Sequence, residues 1–249
     1  MPETPSLTEL LKAGVHFGHK TSRRHPRMAP YIFTEKAGVH IINLEITQQK
    51  LQEALDFVKN LGREGKILLF VGTKKQVRPI IRKYAEECGA PYVAEKWLGG
   101  TFSNFSEIHK IIRKYLDLKD KQMRGELAKY TKKEQLKFAQ EIEKMEKKIG
   151  GITTLNHLPD AVFIVDLKHE KTAVKEASRK KIPIVGVCDT NVDPTPVDYP
   201  IPANDDAIKS VELIVRLIAE AYQQGKQERE GSLKEESEKE NKPTTEEES

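Results

Sequence analysis

Two groups of residues in this 249-residue chain carry side chains able to do chemistry. The first is the segment Gly14-Val-His-Phe-Gly-His-Lys-Thr-Ser-Arg-Arg-His-Pro-Arg-Met-Ala-Pro-Tyr31, where Lys20, Arg23, Arg24 and Arg27 are interleaved with His16, His19, His25, Phe17 and Tyr31. No acidic residue lies between Lys12 and Glu35, and Gly14, Gly18, Pro26 and Pro30 argue against a long helix. Cations neutralise phosphates and flat rings stack on unpaired bases, so this irregular arm has the composition of an RNA contact. A solvated basic loop is the competing interpretation. The second group is acidic: Asp189, Asp193 and Asp198 in one proline-rich stretch, and Asn204-Asp-Asp206 in the next. Brought together with His16 or His19 from the arm, such carboxylates suit a divalent ion, zinc or magnesium. His19, Asp189, Asp205 and Asp206 are the candidate ligands. Asp and Asn also cap helices and close turns without any ion.

Enzymatic signatures are missing. The segment Val71-Gly-Thr-Lys-Lys-Gln76 follows an apolar run as a phosphate loop would, yet the chain contains no GxxxxGK[ST], GxGxxG or GxSxG motif. Gly72 then reads as a strand-to-helix turn. Cys88 and Cys188 lie far apart and form no CxxC pair, which suggests a reducing compartment. No leader-like segment and no long apolar run is present, so the expected location is cytoplasmic, away from membranes. No catalytic residue and no small-molecule substrate is expected.

Charge is unevenly spread. The whole chain carries +4, while residues 226–249 hold five basic and nine acidic residues, leaving a body of +8 that suits an anionic partner.

The elements that must position these residues follow from periodicity. Short apolar runs at 39–44, 67–71, 92–93, 161–165 and 184–187 predict strands, and 199–201 a short edge strand. Amphipathic spacing predicts helices over 47–61, 76–87, 169–180 and 206–223. This alternation predicts a doubly wound, mostly parallel α/β sheet of flavodoxin or Rossmann type.

From 105 to 149 the rhythm changes to two helices, with Ile108, Ile111, Tyr115 and Leu118 on one and Phe138, Ile142, Met145 and Ile149 on the other. Asn104 with Glu107 and Thr131 with Glu134 have capping spacing. Two narrow apolar stripes are most cheaply buried against each other, predicting an antiparallel coiled-coil hairpin of net charge +5. Trp97, beside a glycine pair, is expected to anchor this insertion to the body. The predicted organisation is a basic arm with a short helix over 1–36, an α/β body over 37–104 and 150–225, the hairpin over 105–149, and a disordered acidic tail over 226–249.

Several separate motifs resemble one family. Leu10-Leu-Lys-Ala-Gly-Val-His-Phe-Gly-His19, Trp97-Leu-Gly-Gly100, Pro159-Asp-Ala-Val-Phe-Ile-Val-Asp166 with His169-Glu170, Lys175-Glu-Ala177 and Ile182-Pro183, and Asp189-Thr-Asn191 with Ile201-Pro-Ala-Asn-Asp-Asp206 occur in order over residues 7–224. They resemble ribosomal protein S2 of the small subunit, of bacterial or organellar type. The resemblance implies an α/β fold with a protruding coiled-coil hairpin and no enzymatic activity. It implies small-subunit ribosomal RNA as a partner, together with neighbouring ribosomal proteins, including the large mRNA-binding protein built from OB-fold repeats. On that basis Lys20, Arg23, Arg24 and Arg27 are expected on phosphates, with Lys74, Lys75, Lys110 and Arg113 as further contacts, while His16 and Phe17 fold the arm onto the body. Shape and backbone recognition is expected over base reading. The alternative is a protein-interaction scaffold acting through the coiled coil without RNA.

Overall fold

The computed structural model describes residues 4–240. Helix α1 (Leu7–Ala13) opens with a capping box: the Ser6 hydroxyl accepts from the Glu9 amide, and the Glu9 carboxylate accepts in return from Ser6. Gly14 closes it in the left-handed conformation, at φ 76°. The arm that follows is ordered, not irregular. Strands β1 (Phe17–Lys20), β2 (Ile32–Lys36) and β3 (Val39–Ile42) make a three-stranded antiparallel sheet in the order β1-β3-β2, with 3₁₀ turns at Thr21–Arg23 and Pro26–Tyr31 between the first two. The predicted strand at 39–44 therefore serves this small sheet and not the main one. Both pairings contain a register shift, which blurs the alternation that would have revealed β1 and β2.

The body begins with α2 (Leu44–Glu64), started three residues earlier than predicted because the Asn43 side chain accepts from the Glu45 amide. Then come β4 (Leu68–Val71), α3 (Arg78–Glu87), β5 (Tyr92–Val93), α4 (Phe105–Met123), α5 (Lys132–Ile149), β6 (Ala161–Ile164), α6 (Lys171–Lys180), β7 (Ile184–Cys188), β8 (Tyr199–Pro202) and α7 (Ile208–Glu240). The five body strands are all parallel, in the order β5-β4-β6-β7-β8, so the proline-bearing β8 does lie at an edge. Every residue of β4, β6 and β7 is buried, as expected of a sheet covered on both faces. Alternate residues serve opposite layers. Phe70 and Phe163 pack with α2, α3 and α7, while Leu69, Val71, Val162 and Ile164 pack with α6 and the base of α4 and α5. This is a doubly wound α/β body.

Helices α4 and α5 face each other through Ile112, Tyr115, Leu118 and Ile142, and Lys114 pairs with Glu141 and Lys119 with Glu146 across them. Ile111, predicted on the buried stripe, is exposed and Ile112 takes its place. Thr131 and Glu134 form the expected capping box, whereas Asn104 makes no side-chain cap bond. Trp97 is buried and meets the Phe102 ring edge-on at 4.8 Å, anchoring the start of the insertion.

The predicted disorder from 226 onward is corrected as far as Glu240, which α7 reaches without a break. Gly225 lets α7 cross α2 closely, since a side-chain carbon there would lie 2.1 Å from the Lys59 carbonyl oxygen. Beyond the crossing, Glu228 pairs with Lys59 at 2.7 Å and with Arg63. Glu and Lys are also good helix formers, so polarity did not preclude helix here. The rest of the predicted tail, 241–249, lies outside the described residues. Among the described residues no helix is long and apolar enough to cross a membrane.

Candidate nucleic-acid interface

The arm is fastened to the carboxyl ends of the body strands, where ligands gather in such folds. Just beyond β7, the Thr190 hydroxyl accepts from the His19 amide at 2.9 Å, and its carbonyl accepts from the His25 amide at 2.8 Å. Gly18 permits that approach, because a side-chain carbon there would lie 2.6 Å from the Thr190 methyl. His19 is thereby aimed at a carboxylate cluster. Its Nδ1 lies 3.1 Å from Asp189 Oδ2 and its Nε2 3.5 Å from Asp206 Oδ2. The hydrogen bond to Asp189 holds the imidazole pKa above its usual value despite the opposing effect of burial.

Lys74 enters the same cluster, 2.9 Å from Asp166 and 2.6 Å from Asp206. Burial pulls its pKa down, and these two hydrogen bonds outweigh that and raise it, so it is a fixed cation. Asp205 is 2% exposed, and among the described residues no donor reaches its carboxylate. Burial, with the neighbouring charges of Asp189 and Asp166, pushes its pKa up. His19, Asp205 and Asp206 present ligand atoms all within 4.8 Å of one another. Asp189, read from sequence as a ligand, sits on the Nδ1 edge of His19, where it orients the ring and leaves Nε2 toward Asp206. His16 does not join them. Its ring lies 4.0 Å from Phe17, in an apolar groove with Leu7, Leu11 and Phe33, and burial lowers its pKa.

The sequence matches the family model for ribosomal protein S2 over residues 10–225. A curated relative, the small ribosomal subunit protein uS2 of Salinibacter ruber, is 48% identical over 224 residues, which are 90% of this chain and 70% of that one. The chain belongs to the ribosomal protein S2 family. Members of the S2 family are structural proteins and not enzymes, which accounts for the missing catalytic motifs.

In this S2-family protein the predicted cations fall into two kinds. Lys20, Arg23 and Arg24 are exposed and, among the described residues, in no ion pair. Arg27 is committed to the protein itself, 3.1 Å from Asp193 and bonded to Thr195. Lys74 is likewise a half-buried strut. Lys75 is exposed but lines a different groove, between α3 and the base of α5. Lys110 pairs with Glu107 on its own helix, and Arg113 is exposed and, among the described residues, unpaired; neither lines the arm cleft.

Two buried acids, Glu170 and Glu176, lie within the quoted motifs, but their roles had no signal in the sequence. Glu176 on α6 accepts from the amides of Gly100 and Phe102 at 2.8 Å each and of Ser103 at 3.2 Å, and lies 3.5 Å from the Trp97 indole nitrogen. Glu170 accepts from the amide and hydroxyl of Thr73 at 2.8 and 2.6 Å. Both partner sets lie more than seventy positions away in sequence.

Proposed function

We propose that this S2-family protein is a structural constituent of the small ribosomal subunit that holds small-subunit ribosomal RNA with its arm. The observation that carries this reading is the pairing of free cations with a rigid mount: Lys20, Arg23 and Arg24 stand exposed and, among the described residues, unpaired on a segment bonded to Thr190. A pre-ordered arm loses less entropy on binding than a free loop would. Helices α4 and α5 form a coiled-coil hairpin that docks neighbouring ribosomal proteins, including the large OB-repeat mRNA-binding protein. The protein works in the cytoplasm, on the ribosome. The test is affinity for a small-subunit ribosomal RNA fragment beside an unrelated RNA of equal length, for wild type and Arg23→Ala/Arg24→Ala. Tighter binding to the ribosomal fragment, weakened by the double change, supports the reading. Equal binding to both RNAs overturns it.

The same reading includes a divalent ion that pins the arm. Lys74 neutralises Asp166 and Asp206 but, among the described residues, no donor reaches the Asp205 carboxylate, and His19 completes a mixed nitrogen and oxygen donor set that suits zinc better than magnesium. Calorimetric titration of the full chain with zinc tests this: one site in wild type that is lost in Asp205→Asn supports it, and no heat in wild type sinks it.

A further inference from the structure

Lys168, Lys171, Lys175 and Arg179 recur at intervals of three, four and four, which places them along one face of α6 and the turn before it. All four are exposed, and among the described residues none is in an ion pair. Like charges four residues apart weaken a helix, so the row on α6 is uncompensated in the free protein.

The four cations line a groove of about 630 Å³ between α6 and the 191–196 loop, with Val174, Val192 and Pro196 among its apolar lining. Asp193, an acid in the lining, is already held by Arg27. The groove runs into the arm cleft, because Lys168 and Asn191 line both, and Arg23 stands in the second. The Asn191 side-chain oxygen is buried and, among the described residues, has no donor.

We propose that this face of α6, with the 191–196 loop, is an RNA-backbone track continuous with the arm. From Lys171 to Arg179 the row extends about 12 Å at about 1.5 Å per residue, long enough for more than one phosphate of a single strand. Phosphates compensate the cations, and a ribose 2′-hydroxyl is a donor of the kind Asn191 lacks. RNA fits better than an acidic protein segment because the groove opens onto the arm's own free arginine. The track rests on the reading that the arm binds ribosomal RNA.

The test uses the full chain and a small-subunit ribosomal RNA fragment across a salt series. Lys171→Ala/Lys175→Ala/Arg179→Ala is compared with a charge-matched control, Lys83→Ala/Lys96→Ala/Lys209→Ala, and with Lys171→Arg/Lys175→Arg. The α6 variant is expected to bind at least tenfold more weakly, with the log–log salt slope reduced by about 0.7 to 0.9 for each lost phosphate contact. The control and the arginine variant are expected to stay near wild type. Thermal melts verify that all variants fold. If the α6 variant matches the control while Arg23→Ala/Arg24→Ala loses binding, the track is wrong and the arm reading stands. Loss of a neighbouring ribosomal protein with RNA affinity intact also overturns the track and makes the groove a protein site. If wild type does not prefer the ribosomal fragment, both readings fall.

Discussion

A side-chain carbon on Gly18 would sit 2.6 Å from the Thr190 methyl and 2.9 Å from the Thr190 hydroxyl. The arm and the body thus meet at a point where only hydrogen fits. Gly18→Ala should push β1 away from the β7 end and disturb the His19–Thr190 bond, costing about 1–3 kcal/mol. A melt by circular dichroism would show it as a lowered midpoint. An unchanged midpoint, with unchanged amide exchange at His19, would mean that the arm is not clamped there.

Glu176 ties the Trp97–Ser103 loop to α6. Burial pushes its pKa up, but the amides of Gly100, Phe102 and Ser103 outweigh this and hold it below the ordinary 4.5. A depressed carboxylate stabilises the fold above the ordinary value, and that contribution is lost as the pH falls through the folded value. Glu176→Gln should cost about 1–3 kcal/mol near neutral pH. The gap between wild type and variant should narrow below about pH 4.5. A gap that stays constant down to the acid transition would show that the charge is not what the amides recognise.

Gly62 and Gly225 set the crossing of α2 and α7. Gly225→Ala meets the Lys59 carbonyl at 2.1 Å, so it should cost about 1–3 kcal/mol and melt the segment of α7 beyond it. Amide exchange on residues 226–233 would report the loss. Protection equal to wild type would show that the crossing adapts.

Arg27 and Arg23 separate structure from contact. Arg27→Ala breaks an exposed pair with Asp193, worth about 0.2–1 kcal/mol, and should change the salt slope of RNA binding little. Arg23→Ala should leave stability alone and lower that slope by about 0.7 to 0.9. Exchanged behaviour of the two would refute the assignment of roles.

The body was legible because each buried strand is an uninterrupted apolar run between amphipathic helices, a signal that is local in the chain. The 161–165 and 184–187 runs illustrate this, matching β6 and β7 to within a residue or so. The capping box at Thr131 was equally local. Of the arm's sheet only β3 was legible, as the 39–44 run; β1 and β2 are four and five residues long, largely exposed and shifted in register against it. The carboxylate cluster could be suspected from Asp189, Asp205, Asp206 and His19. That Lys74 belongs inside it, and that Arg27 faces inward to Asp193, depends on partners 132 and 166 positions away. Ile111 and Ile112 were confused because both fit a three-or-four spacing, and only the hairpin's facing decides between them.

Thr190 is synthesised 171 residues after His19. At about 5–20 residues per second, the nascent arm waits roughly 10–30 s for its anchor. The clamp also needs the β7 end that carries it, so the arm acquires its bound shape only when the body is nearly complete. A truncated or stalled chain carries the same arginines without their mount. The fold thereby couples the ordered shape of the arm to completion of the body.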